Sequence, residues 1–231
     1  MIADAQHTFV FADLAGYTAL TDIHGDEMAA DLAGQFCRDV GAALPPGAED
    51  LKSLGDACMV HVETATGAVQ FALALLERVA RRPRFPAVRV GMHTGTAVER
   101  GGDWFGQTVN AAARIAELAG PDEILLSCTT RDSARERPRV QYENLGLREL
   151  RNIRAPQRIF RAVPATGAPD ASTWAIDPVC RMRVALNDAV VLDLRDAPRA
   201  FCSQHCANEF AQAPDRYPIP GGAMRALRPL A

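Results

Sequence analysis

An α+β fold with helices packed on one sheet is what this 231-residue sequence predicts. Three observations carry that expectation. Short apolar runs of strand character alternate with longer stretches whose apolar residues recur at helical spacing over residues 1–163. Gly55-Asp56 stands between two apolar runs, the signal of a tight hairpin and so of an antiparallel pair. Hydrophobic residues make up 48% and charged residues 23%, the balance of a globular chain able to bury one full-sized core, with length left for a small second unit.

The elements follow in order. Thr8 to Asp13 is a short apolar strand that ends in a polar turn at Gly16. Glu27 to Val40 carries apolar residues at helical spacing. Leu51 to Leu54 and Ala57 to Val62 flank the hairpin turn. Ala65 to Arg81 is a helix with Val69, Ala72, Leu76 and Val79 along one face, and Pro83 and Pro86 stop it. Ala87 to Gly95 is a strand, Val109 to Ala119 a helix and Glu123 to Ser127 a strand; Tyr142 to Leu150 and Arg158 to Val163 close the body. Strand order does not follow from this pattern. Residues 164–174 are rich in Pro, Gly and small residues and read as a linker. Beyond it lie a compact unit at 175–218 and a Pro/Gly-rich, loosely ordered tail at 219–231.

Composition excludes several classes. Lys plus Arg number 25 against 28 Asp plus Glu, a net charge of −3, without the positive field of a nucleic-acid-binding surface. Arg78 to Arg84 is a basic patch too short to change that, and the alternating charges of Arg131 to Arg139 read as a solvated face. No apolar run approaches the roughly 20 residues of a membrane span. Met1 to Thr8 carries neither a basic leader nor an apolar signal core, so a cytoplasmic location is expected. Of six cysteines, Cys37, Cys58 and Cys128 sit in apolar surroundings and read as small buried hydrophobes. Cys180, Cys202 and Cys206 crowd into the last quarter, which in a reducing compartment points to metal rather than disulfides.

Two carboxylates occupy unusual places. Asp13 ends an apolar strand and Asp56 sits on the hairpin turn. Carboxylates so placed can converge on one edge of a sheet, where hard cations such as Mg²⁺ bridge carboxylate oxygens to substrate phosphates. Gly16, just beyond Asp13, lets backbone N–H groups approach an anion. On spacing alone a plainer alternative stands beside this one: Asp13 as a helix cap and Asp56 as an ordinary turn residue. His93, on the strand before Gly95, reads as structural or interfacial.

Phe11-Ala-Asp13-Leu-Ala-Gly16-Tyr-Thr18 resembles the opening motif of class III nucleotide cyclase domains. The resemblance continues through Lys52-Ser-Leu-Gly-Asp56-Ala57, Arg89-Val-Gly-Met-His-Thr-Gly95, Asp103-Trp-Phe-Gly-Gln-Thr-Val-Asn110-Ala-Ala-Ala-Arg114 and Leu150-Arg-Asn-Ile-Arg-Ala-Pro-Gln-Arg-Ile-Phe160. It covers roughly residues 7–163. It implies a ferredoxin-like α+β domain that acts as a head-to-tail homodimer and converts ATP to 3′,5′-cyclic AMP and pyrophosphate with two Mg²⁺ or Mn²⁺ ions per site. Asp13 and Asp56 are then the metal-bridging carboxylates. Lys52 and Asp103 read the purine, and Asn110 and Arg114 orient the ribose and stabilise charge at the reacting phosphorus. Each site takes its metal carboxylates from one protomer and the other four residues from its partner.

The residue types suit that chemistry. Asn110 and Arg114 are four apart and share one helix face. Adenine offers an acceptor at N1 and a donor at N6, which a Lys donor and an Asp acceptor complement, whereas guanine leaves the same pair mismatched. There are two departures from the family pattern. Only the seven residues Thr96 to Gly102 separate Gly95 from Asp103, a dimer-contacting arm shorter than in the best-known members. Arg151 stands where the family usually has a phosphate-contacting Lys; charge is kept, but a guanidinium fork replaces a point charge.

Asp177-Pro-Val-Cys180-Arg-Met182, Phe201-Cys202-Ser-Gln-His205-Cys206, Phe210 and Pro214-Asp-Arg-Tyr217 resemble the YHS domain, a small heavy-metal-associated module. Arg181 departs from the family's usual Gly, which restricts the backbone there. Three thiolates suit Zn²⁺ or Cu(I), with His205 or an exogenous group as a fourth ligand. The expected protein is an adenylate cyclase regulated by a metal-binding tail. Its rivals are a catalytically silent nucleotide-binding module and a metal sensor dimerised by a cyclase-like body.

Overall fold

The computed structural model describes residues 5–134, 140–165, 173–194 and 197–217. The body contains β1 (His7–Leu14), α1 (Tyr17–His24), α2 (Asp26–Ala43), β2 (Ala48–Leu54), β3 (Ala57–Val62), α3 (Ala65–Ala80), β4 (Val88–Gly95), β5 (Val98–Arg100), β6 (Asp103–Phe105), α4 (Gln107–Leu118), β7 (Ile124–Ser127), α5 (Cys128–Ser133), β8 (Val140–Arg148) and β9 (Gln157–Pro164). A C-terminal segment follows with β10 (Trp174–Ile176), β11 (Arg183–Ala185), β12 (Val190–Leu192), β13 (Arg199–Phe201) and α6 (Gln204–Gln212).

Seven strands form one sheet in the order β2-β3-β1-β4-β7-β9-β8. Its first four strands are antiparallel throughout. With helices between β1 and β2 and between β3 and β4, this is a ferredoxin-like arrangement. β7 joins parallel to β4 after the α4 crossover. β1 is central, so its two faces enter different packed layers. Val10, Ala12 and Leu14 pack in the cluster that contains Phe36 and Val40 of α2 and Leu75 of α3, while Phe9 packs with Ala112 of α4. That two-sided burial is why the strand reads as a nearly unbroken apolar run rather than an alternation.

Every strand and helix expected in the body is present, within a few residues at the ends. Four elements were not expected. Residues 17–24 form the two-turn helix α1 instead of extending the turn at Gly16; positive φ angles at Gly16 (73°) and Gly25 (86°) bracket it. α5 is shorter still. Residues 98–105 fold as the hairpin β5–β6. α4 crosses β4 at Gly91, where an added Cβ would lie 2.0 Å from the backbone nitrogen of Ala116. Any side chain at 91 would push α4 off the sheet, at a cost of about 1–3 kcal/mol or more.

The basic patch is not free surface charge: Arg78 and Arg82 both bond the buried carboxylate of Asp39, at 2.7 and 2.8 Å. Arg131 lies over the Phe160 ring, its guanidinium carbon 4.2 Å from the centroid. Residues 135–139 of the charge-alternating run, most of the linker (166–172) and the tail expected from 219 lie outside the described residues.

The C-terminal segment is docked on the body. Val179, Cys180, Met182, Phe201, Cys206 and Phe210 belong to the same buried cluster as Leu14, Leu20, Phe85 and Val88. Backbone bonds cross the junction from Arg183 N to Phe85 O (3.0 Å) and from Ala87 N to Arg181 O (2.9 Å). The Arg183 side chain, 6% exposed, donates to Asp122 and to the Val79 carbonyl (3.2 Å). Loss of Asp122 would strand the buried Arg183 charge, whereas Asp122 itself, 31% exposed, stays in reach of solvent.

Candidate active site

The proposed site residues fall into three groups. In the first, Asp13 near the end of β1 lies opposite Ala57 on one side and Arg89 on the other, so the turn carrying Asp56 meets the same end of the sheet. The Leu14 amide donates to the Asp56 carbonyl at 3.1 Å and locks that turn to β1. Arg89 donates to Asp13 Oδ1. Burial pushes the Asp13 carboxyl above its usual range; the Arg89 bond opposes this, and the nearby Asp56 charge adds to it. Burial likewise raises Asp56. Two neighbouring, desolvated carboxylates with oxygen donors only are a set that a hard divalent cation fits, because it relieves both penalties at once.

In the second group Lys52, on β2, bonds Asp103 Oδ2 at the start of β6. This contact holds the Asp103 carboxyl below its usual range, chiefly through the Lys52 hydrogen bond. Asp103 also accepts from the Trp104 amide at 2.8 Å. Trp104 seats the arm: its ring stacks on His61 (centroids 4.7 Å, planes 29° apart) and contacts His7 and Phe9. The donor and acceptor expected to read a purine edge are therefore side by side, although 51 positions separate them in sequence.

The third group sits on and beside α4. Asn110 is exposed and Arg114 half-buried. Arg114 bonds the carboxylate of Glu117, one turn on, and Arg151 reaches the same oxygen at 3.6 Å. Glu117 thus occupies both guanidiniums that the sequence assigns to phosphate, and its charge adds a smaller upward push on Asp13. Sequence reasoning missed Arg89 and Glu117, since neither stands out until the fold places it.

His93 lies beside this region. Its Nδ1 shares a 2.7 Å hydrogen bond with Ser127 Oγ, and burial pulls its pKa from 6.5 to about 4. The unfolded chain takes up this proton near pH 6.5, while the folded protein holds it off until about pH 4. Stability from this group is therefore complete above pH 6.5 and falls as pH drops toward 4, at up to about 1.4 kcal/mol per pH unit. Urea midpoints taken from pH 7 to pH 5 are expected to decline more steeply in the wild type than in His93→Gln. Parallel declines would assign the slope to other groups.

The three clustered cysteines converge in the C-terminal segment. Cys202 Sγ lies 3.5 Å from both Cys180 Sγ and Cys206 Sγ. The thiols of Cys180 and Cys206 stabilise a Cys202 thiolate and hold its pKa far below the usual thiol range. His205 is exposed on α6 and absent from this cluster. The imidazole that reaches the sulfurs is His24, at the end of α1, with Nε2 3.5 Å from Cys202 Sγ. Of the two histidines, it is therefore His24 and not His205 that faces the sulfurs. The backbone at Arg181 is left-handed (φ 60°), a conformation that L side chains rarely adopt. The scattered cysteines differ: Cys58 is buried, Cys37 and Cys128 are half-buried, and Cys37 and Cys58 lie 3.6 Å apart as free thiols.

Among the described residues no helix is long and apolar enough to cross a membrane. The family profile described as the adenylate and guanylate cyclase catalytic domain matches residues 3–160. A pH-sensitive adenylate cyclase of Mycobacterium tuberculosis is 35% identical over 159 residues, covering 68% of this chain and 40% of that protein. An adenylate cyclase of Streptomyces griseus is 38% identical over 117 residues, covering 50% of this chain and 29% of that one. The chain thus spans less than half the length of these curated relatives. Among solved structures, adenylate cyclases from Trypanosoma brucei in their monomeric state superpose with a TM-score of 0.63 at 22% identity, covering 70% of this chain and 89% of theirs.

Proposed function

The chain belongs to the adenylate and guanylate cyclase catalytic domain family, and from that premise we propose that it is an adenylate cyclase converting ATP to 3′,5′-cyclic AMP and pyrophosphate. The observation that carries the choice of ATP is the Lys52–Asp103 contact, which places side by side a donor and an acceptor of the kinds that an adenine edge complements.

In the reaction the ribose 3′-oxygen attacks the α-phosphorus in line. A new O–P bond forms, the bond to the bridging oxygen breaks, pyrophosphate leaves with the electron pair, and the hydroxyl proton passes to solvent. Asp13 and Asp56 would hold two Mg²⁺ or Mn²⁺ ions. When bound, such ions supply neutralisation of the triphosphate and acidify the attacking hydroxyl. Lys52 donates to adenine N1 and Asp103 accepts from N6. Asn110 orients the ribose, and Arg114 meets the charge growing on the phosphoryl oxygens with a fixed guanidinium fork. Arg151 adds a second guanidinium for the phosphates. Glu117 holds Arg114 and Arg151 until the triphosphate displaces it.

Complete sites form in a homodimer, Asp13 and Asp56 coming from one protomer and Lys52, Asp103, Asn110 and Arg114 from its partner. The arm supports this: Val98 and Phe105 on β5 and β6 are 55% and 52% exposed, apolar surface that a second copy would cover. Residues 175–218, joined through 164–174, act as a YHS-type module whose three cysteines bind Zn²⁺ or Cu(I) and regulate the cyclase.

The purified chain with ATP and Mn²⁺ or Mg²⁺ is expected to form cyclic AMP and pyrophosphate one for one. Binding of ATP with no pyrophosphate released would establish the silent module instead, a reading that Glu117 on Arg114 and Arg151 favours. Metal binding with neither ATP binding nor turnover would point to the sensor.

A further inference from the structure

Four ligating atoms from two ends of the chain meet at one point. Cys180 lies in the turn between β10 and β11, Cys202 just after β13 and Cys206 in the first turn of α6. His24 comes from the body, 178 positions before Cys202. The three sulfurs and the imidazole nitrogen all lie within 4.8 Å of one another, and each of the three contacts to Cys202 Sγ is 3.5 Å. A tetrahedral ion with bonds of about 2.3 Å to sulfur and about 2.0–2.1 Å to nitrogen separates its ligands by about 3.5–3.8 Å. The three contacts to Cys202 Sγ already have that length, and the other separations stay within 4.8 Å.

The surroundings are built to hold it. Asp177, fully buried, accepts from the Val179 amide (2.8 Å) and the Cys180 amide (3.4 Å) through Oδ1, and from the Cys202 amide (2.8 Å) through Oδ2. One carboxylate therefore fixes two cysteine-bearing loops. Ser203 caps α6 by accepting from the Cys206 amide at 3.2 Å. Such supporting bonds orient ligands before the ion arrives.

We infer that His24 completes a Cys₃His site for a thiophilic tetrahedral cation of the Zn²⁺ class, and that the ion clasps the C-terminal segment to α1 and so to the end of β1 that carries Asp13. The inference rests on the cysteines being a metal site and goes beyond it by making the cyclase body a ligand donor. Both ends of α1 are engaged. Its last residue is His24, and its N-terminal Gly16 lies under Arg181, the neighbour of Cys180, whose Cγ would be 2.6 Å from a Cβ at 16. The Ala15 amide donates to Ala87 O (2.8 Å), and the Ala87 amide donates to Arg181 O. Loading the site therefore orders residues 13–24 as a unit.

The test uses the full chain, reduced, titrated with Co²⁺ and then Zn²⁺. One Co²⁺ per chain is expected, with a thiolate charge-transfer band and tetrahedral d–d bands that Zn²⁺ bleaches. Hydrogen exchange over residues 17–24 should slow on loading. In His24→Ala the charge-transfer band persists, the d–d bands shift, Zn²⁺ affinity falls by about 10–100-fold, and the slowed exchange is lost. Free imidazole restores the affinity, which separates ligand loss from misfolding. No metal uptake by the wild type would overturn the thiolate site itself. Uptake with spectrum, affinity and exchange unchanged in His24→Ala would overturn only the clasp, as would a loss seen in His205→Ala instead. None of these readouts depends on cyclase turnover.

Discussion

Asp13→Ala and Arg114→Ala are each expected to lose cyclic AMP formation by about a thousandfold or more, and an equimolar mixture of the two to recover about a quarter of wild-type activity. The first number follows from what each residue does in the proposed mechanism. Asp13 is one of the two carboxylates that would hold the ions, and Arg114 meets charge that exists only in the transition state. Interactions of either kind are worth several kcal/mol, and each 1.36 kcal/mol is a factor of ten in rate. The second number follows from symmetry. Random assortment makes about half the dimers mixed, and each mixed dimer has one of its two sites intact. Asp13 is held by Arg89 and Arg114 by Glu117, each within its own chain, so neither substitution removes a core contact. If a mixed dimer forms and recovers nothing, the shared site is wrong even if cyclisation is right.

The second large effect concerns the base. Lys52→Glu combined with Asp103→Ser reverses the donor and acceptor offered to the purine. The ratio of ATP to GTP turnover is expected to fall by at least about a hundredfold, because a polar site rejects a ligand that leaves its groups unpaired. Each single substitution should lower ATP turnover without conferring GTP turnover, since one mismatched contact remains. Lys52 is 44% exposed and Asp103 24%, so the pair adds little to stability and the double variant should melt close to the wild type. An unchanged preference would remove both residues from base recognition.

Much of this arrangement was legible along the chain, for physical reasons that differ between elements. β1, β3 and β4 are continuous apolar runs because helices cover both faces of the sheet, and α3 shows its stripe because sixteen residues give the helical period room to repeat. α1 and α5, with eight and six residues, hold too few turns for a period to emerge, and the glycines around α1 read as a turn. Asp13 and Asp56 were legible because a carboxylate at a strand end or on a hairpin is locally anomalous. Arg89 was not, because an arginine within a strand carries no signal until the register sets it opposite Asp13. His24 was hidden in the same way, one unremarkable histidine at the end of a helix too short to predict.

By itself, then, the sequence determined the order and kind of the long elements, the hairpin that carries Asp56, and the presence of one carboxylate pair and one cysteine cluster. These depend on spacing within about twenty residues, where turn chemistry and periodicity decide the outcome. Only the tertiary structure decided the partners. It set Lys52 against Asp103, Glu117 between Arg114 and Arg151, and His24 on the cysteines of the C-terminal segment. The Lys52, Arg151 and His24 contacts span from 34 to 178 positions and arise from sheet order and from the docking of one buried surface on another. That choice is made by the summed burial of many side chains, and no local stretch of sequence contains it.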